Sequence, residues 1–469
     1  MGLHDLLSSA PPRVDLVVAD GRRLSTDEVV AAVGSTAAGL RERGVGRGDH
    51  VAFQLPNGPD AVVLYRACWH LGAVAAPLHD RLGAAQTSAA IEQLGPAACV
   101  ASPGLPLAEA ADAIVPADLR GGDVPPAAGP APGDDALVMF TSGSTGTPKG
   151  VVHTHGGLTG KVRQLLEVHG LGADDVVLMP APLAHVSGLL HGVLVPGAAG
   201  MRTVLMDRWD PVGALDLIEA EGVTYMVGPP TFFLGLMDAP GFSPARTASL
   251  RLLSCGGTEV TPEFVERACR ELGAVVKRSY GSTEAPTVAT SRFDDPPDRM
   301  ATTDGRALGD AEIRIDGDGE VWVRGPEVAR GYLDPDQTAA SFVDGWFRTG
   351  DLGRLDDGWL TVTGRLDDRI IRGGENISAH EVEAHLVAHP AVEAAVVVGL
   401  PDEHLGERVA AFVVAPDGFD LDGCRAWFDD RGLTRLMVPE YVEVIDEVPL
   451  LPTGKPDRVG LRDRAGARR

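Results

Sequence analysis

The sequence has few cysteines and no long hydrophobic run. None of the five cysteines in its 469 residues is spaced as C-x-x-C, which excludes a disulfide framework and a cysteine zinc site. We interpret them as small buried hydrophobic residues: Cys68, Cys99, Cys255, Cys269 and Cys424. No run of about 18 uninterrupted apolar residues, the length that a transmembrane segment needs, is present. The first residues, "MGLHDLLSSAPPRVDL", carry an acid where a secretory signal would carry basic residues, so we expect a cytoplasmic protein.

Positive charge is also scarce, and lysine most of all. The 41 Lys and Arg residues face 66 Asp and Glu residues, for a formal net charge of -25. Nucleic acid is therefore not an expected partner, because binding to a polyanion depends on clustered Lys and Arg. The only lysines are Lys149, Lys161, Lys277 and Lys455. Each is a candidate for a specific role, since the lysine ammonium is a compact point charge.

The first two-thirds of the chain alternates short apolar segments with helical segments. Ser25 and Glu28 form a capping-box pattern that predicts a helix start, and Gly44 supplies the stop. Segments such as "VAFQL", "AVAAPL", "VVLMPA", "TYMVG" and "AVVKRSY" are typical of parallel strands buried on both faces. The pattern predicts a doubly wound α/β fold, with residues 118–135 as a Pro/Gly-rich surface linker.

The pattern changes after residue 310. The segment "AEIRIDGDGEVWVRG" predicts two antiparallel strands around an Asp-Gly turn. The last hundred residues combine two strands, "EAAVVVG" and "RVAAFVV", with helices expected near residues 380–388 and 424–430. An antiparallel β unit and a small α+β domain are therefore expected to follow the α/β part.

The segment "MFTSGSTGTPKGVVHTH", residues 139–155, follows an apolar run and is rich in Gly, Ser and Thr. Such a turn lets successive backbone N–H groups face one concavity, and Lys149 adds charge. A flexible linker has a similar composition, but apolar runs flank this loop on both sides. It predicts a triphosphate or pyrophosphate site of unspecified reaction, different from a Walker loop. His153 and His155 have no further ligands nearby in sequence and do not predict a metal site.

Five segments in order carry a family resemblance: "FTSGSTGTPKGVV", "YGSTE", "GWFRTGDLGRLDDGWL", "GRLDDRIIRGGENISAHEVE" and "PTGKPDR". They resemble the motifs of the adenylate-forming superfamily, which includes acyl-CoA synthetases, luciferases and the adenylation domains of peptide synthetases. In type, the chain is most similar to acyl-CoA synthetases. The resemblance implies an N-terminal domain, residues 1–366, of two doubly wound subdomains plus a β-barrel-like subdomain. It also implies a small mobile α+β domain, residues 367–469.

The resemblance implies that ATP, Mg²⁺ and coenzyme A bind. Activating a carboxylic acid brings an anionic carboxylate to an anionic α-phosphate, so the site must stabilise charge on phosphorus. Glu284 and Thr145 match Mg²⁺ ligands, and one carboxylate with nucleotide phosphates is a usual set for this ion. Thr283 would bond the α-phosphate, and Lys455 would bridge it to the substrate carboxylate.

The other implied nucleotide contacts lie in several segments. Tyr280 and Gly281 would lie against the adenine, as would Gly256 and Gly257, for which a simple turn is the alternative. Asp351 would accept the ribose hydroxyls. Arg365 would contact ribose or phosphate, with a surface salt bridge as the alternative. The phosphate loop would contribute Thr141, Ser142, Gly143, Ser144, Thr145, Gly146 and Lys149.

The second half-reaction and the acid involve further residues. Asp367 matches the hinge about which the small domain would rotate. Gly373 and Gly374 would line a narrow path for the pantetheine arm. His185 would lie near the carboxylate entrance, with a buried core histidine as the alternative. The implied lining is small or apolar and suits a fatty, aryl or alicyclic tail: Val186, Val227, Gly228, Pro229 and Ala285. Val186 stands where amino-acid-activating relatives tend to carry Asp, which argues against an α-amino acid.

We therefore expect an ATP-dependent acid–CoA ligase that forms an acyl-adenylate, releases pyrophosphate and then makes the thioester. One alternative is an adenylating ligase that passes the acyl group to a carrier-protein phosphopantetheine or to an amine. Another is a non-catalytic sensor of adenylates, which the retention of both Lys149 and Lys455 argues against. The motifs leave the acid and its chain length open.

Overall fold

The computed structural model describes residues 2–141, 148–372, 375–402, 404–416, 418–431, 433–450 and 456–466. The chain forms two compact units. Unit 1 comprises Met1–Ile313, Val323–Arg348 and Asp356–Leu360, and unit 2 comprises Arg314–Trp322, Thr349–Leu355 and Thr361–Arg469. The predicted boundary between residues 366 and 367, which marks the pivot of a rotation, stays a prediction.

Helices and strands alternate along the chain, and the helices after residue 360 belong to unit 2. The helices are α1 (Leu3–Ser8), α2 (Thr26–Glu42), α3 (Pro59–Leu71), α4 (Ala84–Leu94), α5 (Pro106–Ala110), α6 (His155–His169), α7 (Val186–Leu189), α8 (Val195–Ala199), α9 (Pro211–Glu221), α10 (Pro230–Met237), α11 (Pro262–Leu272), α12 (Pro297–Thr302), α13 (Pro335–Ser341), α14 (Ala379–Val387), α15 (Leu421–Asp430) and α16 (Arg458–Gly466). A 3-10 turn covers Pro116–Asp118, and a π-helical turn, Leu190–Leu194, joins α7 to α8.

The strands follow the apolar segments of the sequence. They are β1 (Val17–Ala19), β2 (Arg22–Leu24), β3 (His50–Gln54), β4 (Val74–Pro77), β5 (Ala98–Ala101), β6 (Asp135–Thr141), β7 (Lys149–Thr154), β8 (Val176–Met179), β9 (Arg202–Leu205), β10 (Tyr225–Gly228), β11 (Leu252–Gly256), β12 (Val275–Tyr280), β13 (Ala289–Thr290), β14 (Arg306–Ala307), β15 (Glu312–Ile315), β16 (Glu320–Arg324), β17 (Gly331–Tyr332), β18 (Phe342–Val343), β19 (Trp346–Asp356), β20 (Trp359–Arg365), β21 (Arg369–Arg372), β22 (Glu375–Ser378), β23 (Ala394–Asp402), β24 (Gly406–Val414) and β25 (Tyr441–Val444). Each strand predicted from the sequence is present.

The capping box predicted at Ser25 is formed. The Ser25 side chain accepts a hydrogen bond from the Glu28 N–H, and the Glu28 carboxylate accepts one from the Ser25 N–H. The two bonds satisfy N–H groups that have no partner within the helix. α2 ends at Glu42, and Gly44 follows in a left-handed conformation, at φ +88°.

The larger sheet of unit 1 has the order β14-β13-β12-β11-β10-β8-β9-β1-β2. Its central strands β1, β9, β8, β10, β11 and β12 are mutually parallel. Gly228 pairs with Cys255, and Gly256 pairs with Ser279, so the carboxyl ends of β10, β11 and β12 lie side by side. In sheets of this kind, ligands bind beyond the carboxyl ends of the strands.

A second sheet of unit 1 has the order β17-β7-β6-β4-β3-β5. Strands β5, β3, β4 and β6 are parallel, whereas β6 and β7 form an antiparallel pair. Thr141 at the end of β6 pairs with Lys149 at the start of β7. Strand pairing therefore fixes both ends of the predicted phosphate loop, whose residues 142–147 lie outside the described ranges.

The core confirms the doubly wound α/β prediction. The largest hydrophobic cluster combines side chains of both sheets, such as Val51 and Val177, with Trp69 of α3 and Leu158 of α6. Other clusters cover the opposite faces, with α9, α10 and α11 on the larger sheet and α4 and α5 on the second sheet. Both faces of each sheet are thus buried, which is why the strand sequences are almost continuously apolar.

The antiparallel part continues the larger sheet. β12, β13 and β14 pair antiparallel and extend one edge of that sheet. In the turn between β15 and β16, the Asp316 N–H donates to the Glu320 carbonyl, as the predicted hairpin requires. In unit 2, β22-β21-β24-β23 and β25 form a sheet that packs with α14 and α15, which confirms the small α+β domain.

The cysteine prediction was wrong at two positions. Cys68, Cys255 and Cys424 are buried, but Cys99 is half-buried and Cys269 is exposed. Cys269 lies on the outer face of α11, whose buried face is Phe264, Val265, Ala268 and Leu272. Within the described ranges, we find no helix that is both long and apolar enough to cross a membrane.

Candidate active site

Three glycines shape the carboxyl edge of the larger sheet. A Cβ at Gly256 would lie 2.1 Å from the Ser279 carbonyl oxygen, and one at Gly281 would lie 2.3 Å from the Thr287 nitrogen. Gly257 has φ +82°, a conformation that side chains disfavour. Gly256 and Gly257 therefore form a tight turn at the end of β11, beside half-buried Tyr280, the last residue of β12. Their contact with adenine stays a prediction.

The loop after Tyr280 carries Thr283 and Glu284, and its backbone is held from two sides. His153 Nε2 lies 2.8 Å from the Thr283 carbonyl oxygen. The Ala329 N–H donates to the Glu284 carbonyl at 2.7 Å. β7 and the segment before β17 thus fix the main chain on which the two predicted catalytic residues stand.

His153 serves the loop as a neutral hydrogen-bond donor. Its ring is buried, and burial lowers its pKa to about 4, although the Thr283 carbonyl and the Glu284 charge act in the opposite direction. A neutral ring that faces a carbonyl must donate its Nε2–H. His155 faces elsewhere, and its Nδ1 accepts from the Leu3 N–H at 3.3 Å. The two histidines of H-T-H therefore belong to separate hydrogen-bond systems.

Tyr332 joins two motifs that are far apart in sequence. Its hydroxyl donates to Glu284 Oε1 at 2.8 Å, and Lys149 Nζ lies 5.6 Å from its ring centroid. Backbone pairing of Tyr332 with Val151 places the ring there. The structure thus brings Lys149 and Glu284 to one aromatic side chain. Sequence reasoning missed Tyr332, because a single aromatic after Gly331 carries no local signal.

The donor chemistry at Glu284 fits Mg²⁺. The carboxylate is half-buried, and Tyr332 orients one of its oxygens. Across the described ranges, no group of three or more His, Cys, Asp or Glu side chains forms a metal cage. Mg²⁺ characteristically uses one or two carboxylates together with nucleotide phosphates and water, so a lone oriented carboxylate suits it. Thr145, the other predicted ligand, lies outside the described residues.

Asp351 and Arg365 form an ion pair within unit 2. Arg365 Nε lies 3.1 Å from Asp351 Oδ1, with 47% of the arginine side chain exposed and 16% of the carboxylate. The Asp351 N–H donates to Thr349 Oγ1, and the Leu366 N–H donates to the Gly350 carbonyl. The salt bridge foreseen for Arg365 is present, and its partner is the residue predicted to accept ribose.

His185 is exposed, so the alternative of a buried core histidine is wrong. Its Nδ1 accepts from the Ser187 N–H at 3.2 Å, which makes His185 the N-cap of α7. Such a cap satisfies a helix-end N–H and leaves the rest of the imidazole on the surface. Val186 follows as a buried residue at the start of α7.

Gly228 and Pro229, two of the predicted pocket residues, adjoin a pair of aromatic rings that the sequence did not reveal. Val227 and Ala285 are buried. A Cβ at Gly228 would lie 2.5 Å from the Phe232 ring, so that ring packs directly on the end of β10, next to Pro229. Phe232 in turn stacks on Trp209, with centroids 4.5 Å apart. Phe232 and Trp209 therefore add apolar surface beside Gly228 and Pro229 at the carboxyl end of β10.

Of the remaining predicted residues, the structure describes two. Asp367 is exposed in the turn between β20 and β21, and Thr141 ends β6. The following lie outside the described residues: Ser142, Gly143, Ser144, Thr145, Gly146, Gly373, Gly374 and Lys455. Their roles, like those of the other site residues, stay predictions.

Comparison with known proteins shows two family matches that together cover most of the chain. The AMP-binding enzyme family profile matches residues 8–333, and that of the AMP-binding enzyme C-terminal domain matches residues 381–455. The medium-chain fatty-acid–CoA ligase of Escherichia coli (strain K12) is 34% identical, covering 96% of this chain and 88% of its own length. The feruloyl-CoA synthase of Amycolatopsis sp is 36% identical, covering 97% and 96%.

The fold is shared with solved structures as well. ATP-bound MatB from Rhodopseudomonas palustris is 28% identical, with a TM-score of 0.92 and 99% of each chain covered. The ordered motifs, the doubly wound sheets and these matches agree. The chain therefore belongs to the AMP-binding enzymes of the adenylate-forming superfamily.

Proposed function

We propose that the chain is a cytoplasmic, ATP-dependent carboxylic acid–CoA ligase. It converts the acid and ATP into acyl-AMP and pyrophosphate, and then transfers the acyl group to the thiol of coenzyme A with release of AMP. One observation carries the proposal: Tyr332 orients the Glu284 carboxylate with its hydroxyl and faces Lys149 with its ring. An acid ligand for Mg²⁺ and a cation for phosphate are thus side by side at the carboxyl edge.

Different residues of unit 1 bind different phosphates of ATP. Lys149 supplies a compact positive charge for the β- and γ-phosphates, which leave as pyrophosphate. Thr283, on a backbone that His153 holds, donates its hydroxyl to the α-phosphate. Mg²⁺ at Glu284 and Thr145 supplies neutralisation of phosphate charge when it is bound. These groups lower the repulsion that an attacking carboxylate meets.

Other residues complete the proposal. Asp351, held by Arg365, accepts the ribose hydroxyls. Lys455 bridges the substrate carboxylate and the α-phosphate. The small domain then rotates about Asp367 and presents another of its faces for the thiol acceptor. Gly373 and Gly374 leave room for the pantetheine arm.

The acid is proposed to carry a fatty, aryl or alicyclic tail. Val227, Ala285, Phe232, Trp209 and Val186 are all apolar, so none of them offers a charged partner for an α-amino group. The relatives' own names specify a medium-chain fatty acid and a feruloyl group, which supports this range. Burial of each methylene contributes about 0.8 kcal/mol, so an apolar lining favours an apolar tail.

The test is acid-dependent exchange of labelled pyrophosphate into ATP. A panel of medium-chain fatty, aryl and alicyclic acids is tried with Mg²⁺, and CoA consumption is followed separately. We expect exchange with at least one acid and thioester formation when CoA is added. No exchange with any acid would contradict the enzymatic proposal. Exchange without CoA consumption, but with acylation of a carrier-protein phosphopantetheine or an amine, would identify the alternative acceptor.

A further inference from the structure

Lys161 is a buried lysine that no adenylation motif contains. It lies on α6 with only 1% of its surface exposed. Its Nζ donates to Gln164 Oε1 at 2.9 Å and to the Thr287 carbonyl at 3.0 Å. Burial lowers its pKa to about 8, against the opposing effect of Glu327. Lysine is rarely buried without a specific partner, and here one partner is the active-site loop.

Thr287 ends the loop that carries Thr283 and Glu284, and its backbone is strained. Its φ is +39°, a left-handed value that is unusual for a β-branched residue. The loop doubles back so closely that a Cβ at Gly281 would meet the Thr287 nitrogen at 2.3 Å. Such conformations persist only where the surroundings hold them, and they cluster at functional sites.

The lysine is itself anchored by a second connection to the loop. Gln164 Nε2 donates to Glu327 Oε1 at 2.6 Å. Gly160 allows this approach, since a Cβ there would already be 3.1 Å from Glu327 Oε1. Two residues further on, the Ala329 N–H holds the Glu284 carbonyl. α6, the segment 327–329 and the loop thus close a ring of hydrogen bonds.

We propose that Lys161 is a positioning residue for adenylation, an inference that rests on the proposed function. Its ammonium holds the Thr287 carbonyl and keeps the strained turn closed. The closed turn fixes Thr283 and Glu284 in the orientation in which they meet the α-phosphate and Mg²⁺. Lys161 bonds the backbone three residues beyond Glu284, so it acts through the loop.

Lys277 provides a matched control. It is also fully buried, with 0% exposure, and burial also lowers its pKa to about 8. Its Nζ donates to the Val168 carbonyl at 2.6 Å and lies 3.5 Å from the Phe293 ring centroid. It thus bonds the end of α6 and not the loop. Lys277→Met therefore measures the cost of removing a buried ammonium without releasing Thr287.

The experiment compares Lys161→Met, Lys161→Arg, Thr287→Gly, the double variant Lys161→Met/Thr287→Gly, and Lys277→Met. Two quantities are measured: the Mg²⁺ concentration for half-maximal pyrophosphate exchange, and calorimetric binding of ATP in the presence of Mg²⁺. Thermal unfolding reports whether each variant is folded. The binding measurement requires no turnover, so it tests the positioning role even if the acid panel shows no exchange and the proposed function fails.

We expect Lys161→Met to raise the half-maximal Mg²⁺ concentration and to weaken ATP binding by about tenfold, as for residues that orient a metal ligand. Lys161→Arg should keep the half-maximal Mg²⁺ concentration and the ATP affinity close to those of the wild type. Adding Thr287→Gly to Lys161→Met should restore them, because glycine adopts a left-handed φ without steric cost. Lys277→Met should lower the unfolding midpoint and leave the Mg²⁺ dependence unchanged.

A folded Lys161→Met protein with unchanged Mg²⁺ dependence and ATP affinity would overturn the inference. So would a loss that Thr287→Gly does not restore, since that is the behaviour of a residue needed only for packing. Should Lys161→Met fail to fold, Lys161→Gln with Glu327→Gln is measured in its place. That pair removes the buried charges together and keeps hydrogen-bonding groups at both positions, and the same two outcomes apply to it.

Discussion

The hydroxyl of Tyr332 reaches Glu284 across 48 positions of sequence, and the His153 ring reaches Thr283 across 130. Neither contact is visible in a linear pattern. The motif letters identified Glu284, Thr283 and Lys149 because those side chains have a chemistry of their own. Tyr332 and His153 act by orienting other residues, and only strand pairing brings them there.

At this scale the first prediction concerns Tyr332→Phe. The change removes the donor to Glu284 and keeps the ring beside Lys149, so the carboxylate loses its orientation. We expect about a tenfold rise in the Mg²⁺ concentration for half-maximal exchange, with little change in thermal stability. Tyr441→Phe is the control, because Tyr441 also donates to a carboxylate, that of Glu443, in unit 2. Equal effects of the two changes would contradict a role for Tyr332 in orienting Glu284.

A second prediction concerns Lys455→Ala. The proposed role is to bridge carboxylate and α-phosphate, so pyrophosphate exchange should fall by at least about a hundredfold, in the range seen for lost electrostatic stabilisation. Supplied acyl-adenylate and CoA should still give thioester, because that step follows the adenylation. Both half-reactions are measured on one preparation, and an equal loss of both would refute the assignment.

The sequence predicted those helices and strands that depend only on residues close together in the chain. The α2 cap, the apolar strands and α14 all depend on neighbouring residues, and α14 begins at Ala379, one residue before the expected His380. The sequence did not predict an ion cluster that joins α14 and α16. Arg458, the first residue of α16, bonds Glu383 of α14 at 3.0 Å and lies 3.4 Å from Asp368. Residues 75 positions apart meet there.

His380 gives this cluster a pH dependence. Burial alone would lower its pKa, but the carboxylates of Asp368, 3.7 Å from Nε2, and Glu383, 3.1 Å from Nδ1, outweigh burial and raise the pKa to about 9. The protonated ring therefore stabilises unit 2 fully below about pH 6.5, the ordinary value for histidine, and this contribution is lost as pH rises through about 9. Urea unfolding between pH 6 and pH 10 should show the loss in the wild type.

The matching variant is His380→Gln, in which that part of the pH dependence should disappear. The comparison is needed because burial lowers the pKa values of Lys161 and Lys277, and their titration changes stability in the opposite direction over the same range. The difference between the two proteins isolates the histidine. A difference that stays constant from pH 6 to pH 10 would be inconsistent with a charged His380.

For the whole molecule, the sequence predicted the doubly wound sheets because buried parallel strands are apolar throughout. It did not predict that Arg314–Trp322 and Thr349–Leu355 belong to unit 2 while their neighbours belong to unit 1. That division depends on pairings between distant segments, such as the Gly353 N–H with the Gly319 carbonyl. No local period encodes such a pairing.

The fourth prediction concerns Asp367→Pro, which fixes one backbone φ at the proposed pivot. Asp367 is exposed in its turn, so the change should have little effect on stability. We expect pyrophosphate exchange within about threefold of wild type and thioester formation reduced by at least about tenfold, as for hinge changes that stall one step. Survival of both steps would rule out rotation about this residue.

The burial of two lysines has a consequence for chemical labelling. Lys161 and Lys277 are closed to solvent, whereas Lys149 is half-buried at the end of the phosphate loop. Within the described ranges, an amine-reactive ester added to the folded protein thus finds its accessible side-chain amine at Lys149. Acylation of Lys149, followed in the peptide that contains it, should be slowed by bound ATP and so report how much of the site is occupied. Among the described lysines, the phosphate-loop residue can therefore be labelled by a reagent that has no affinity for nucleotides.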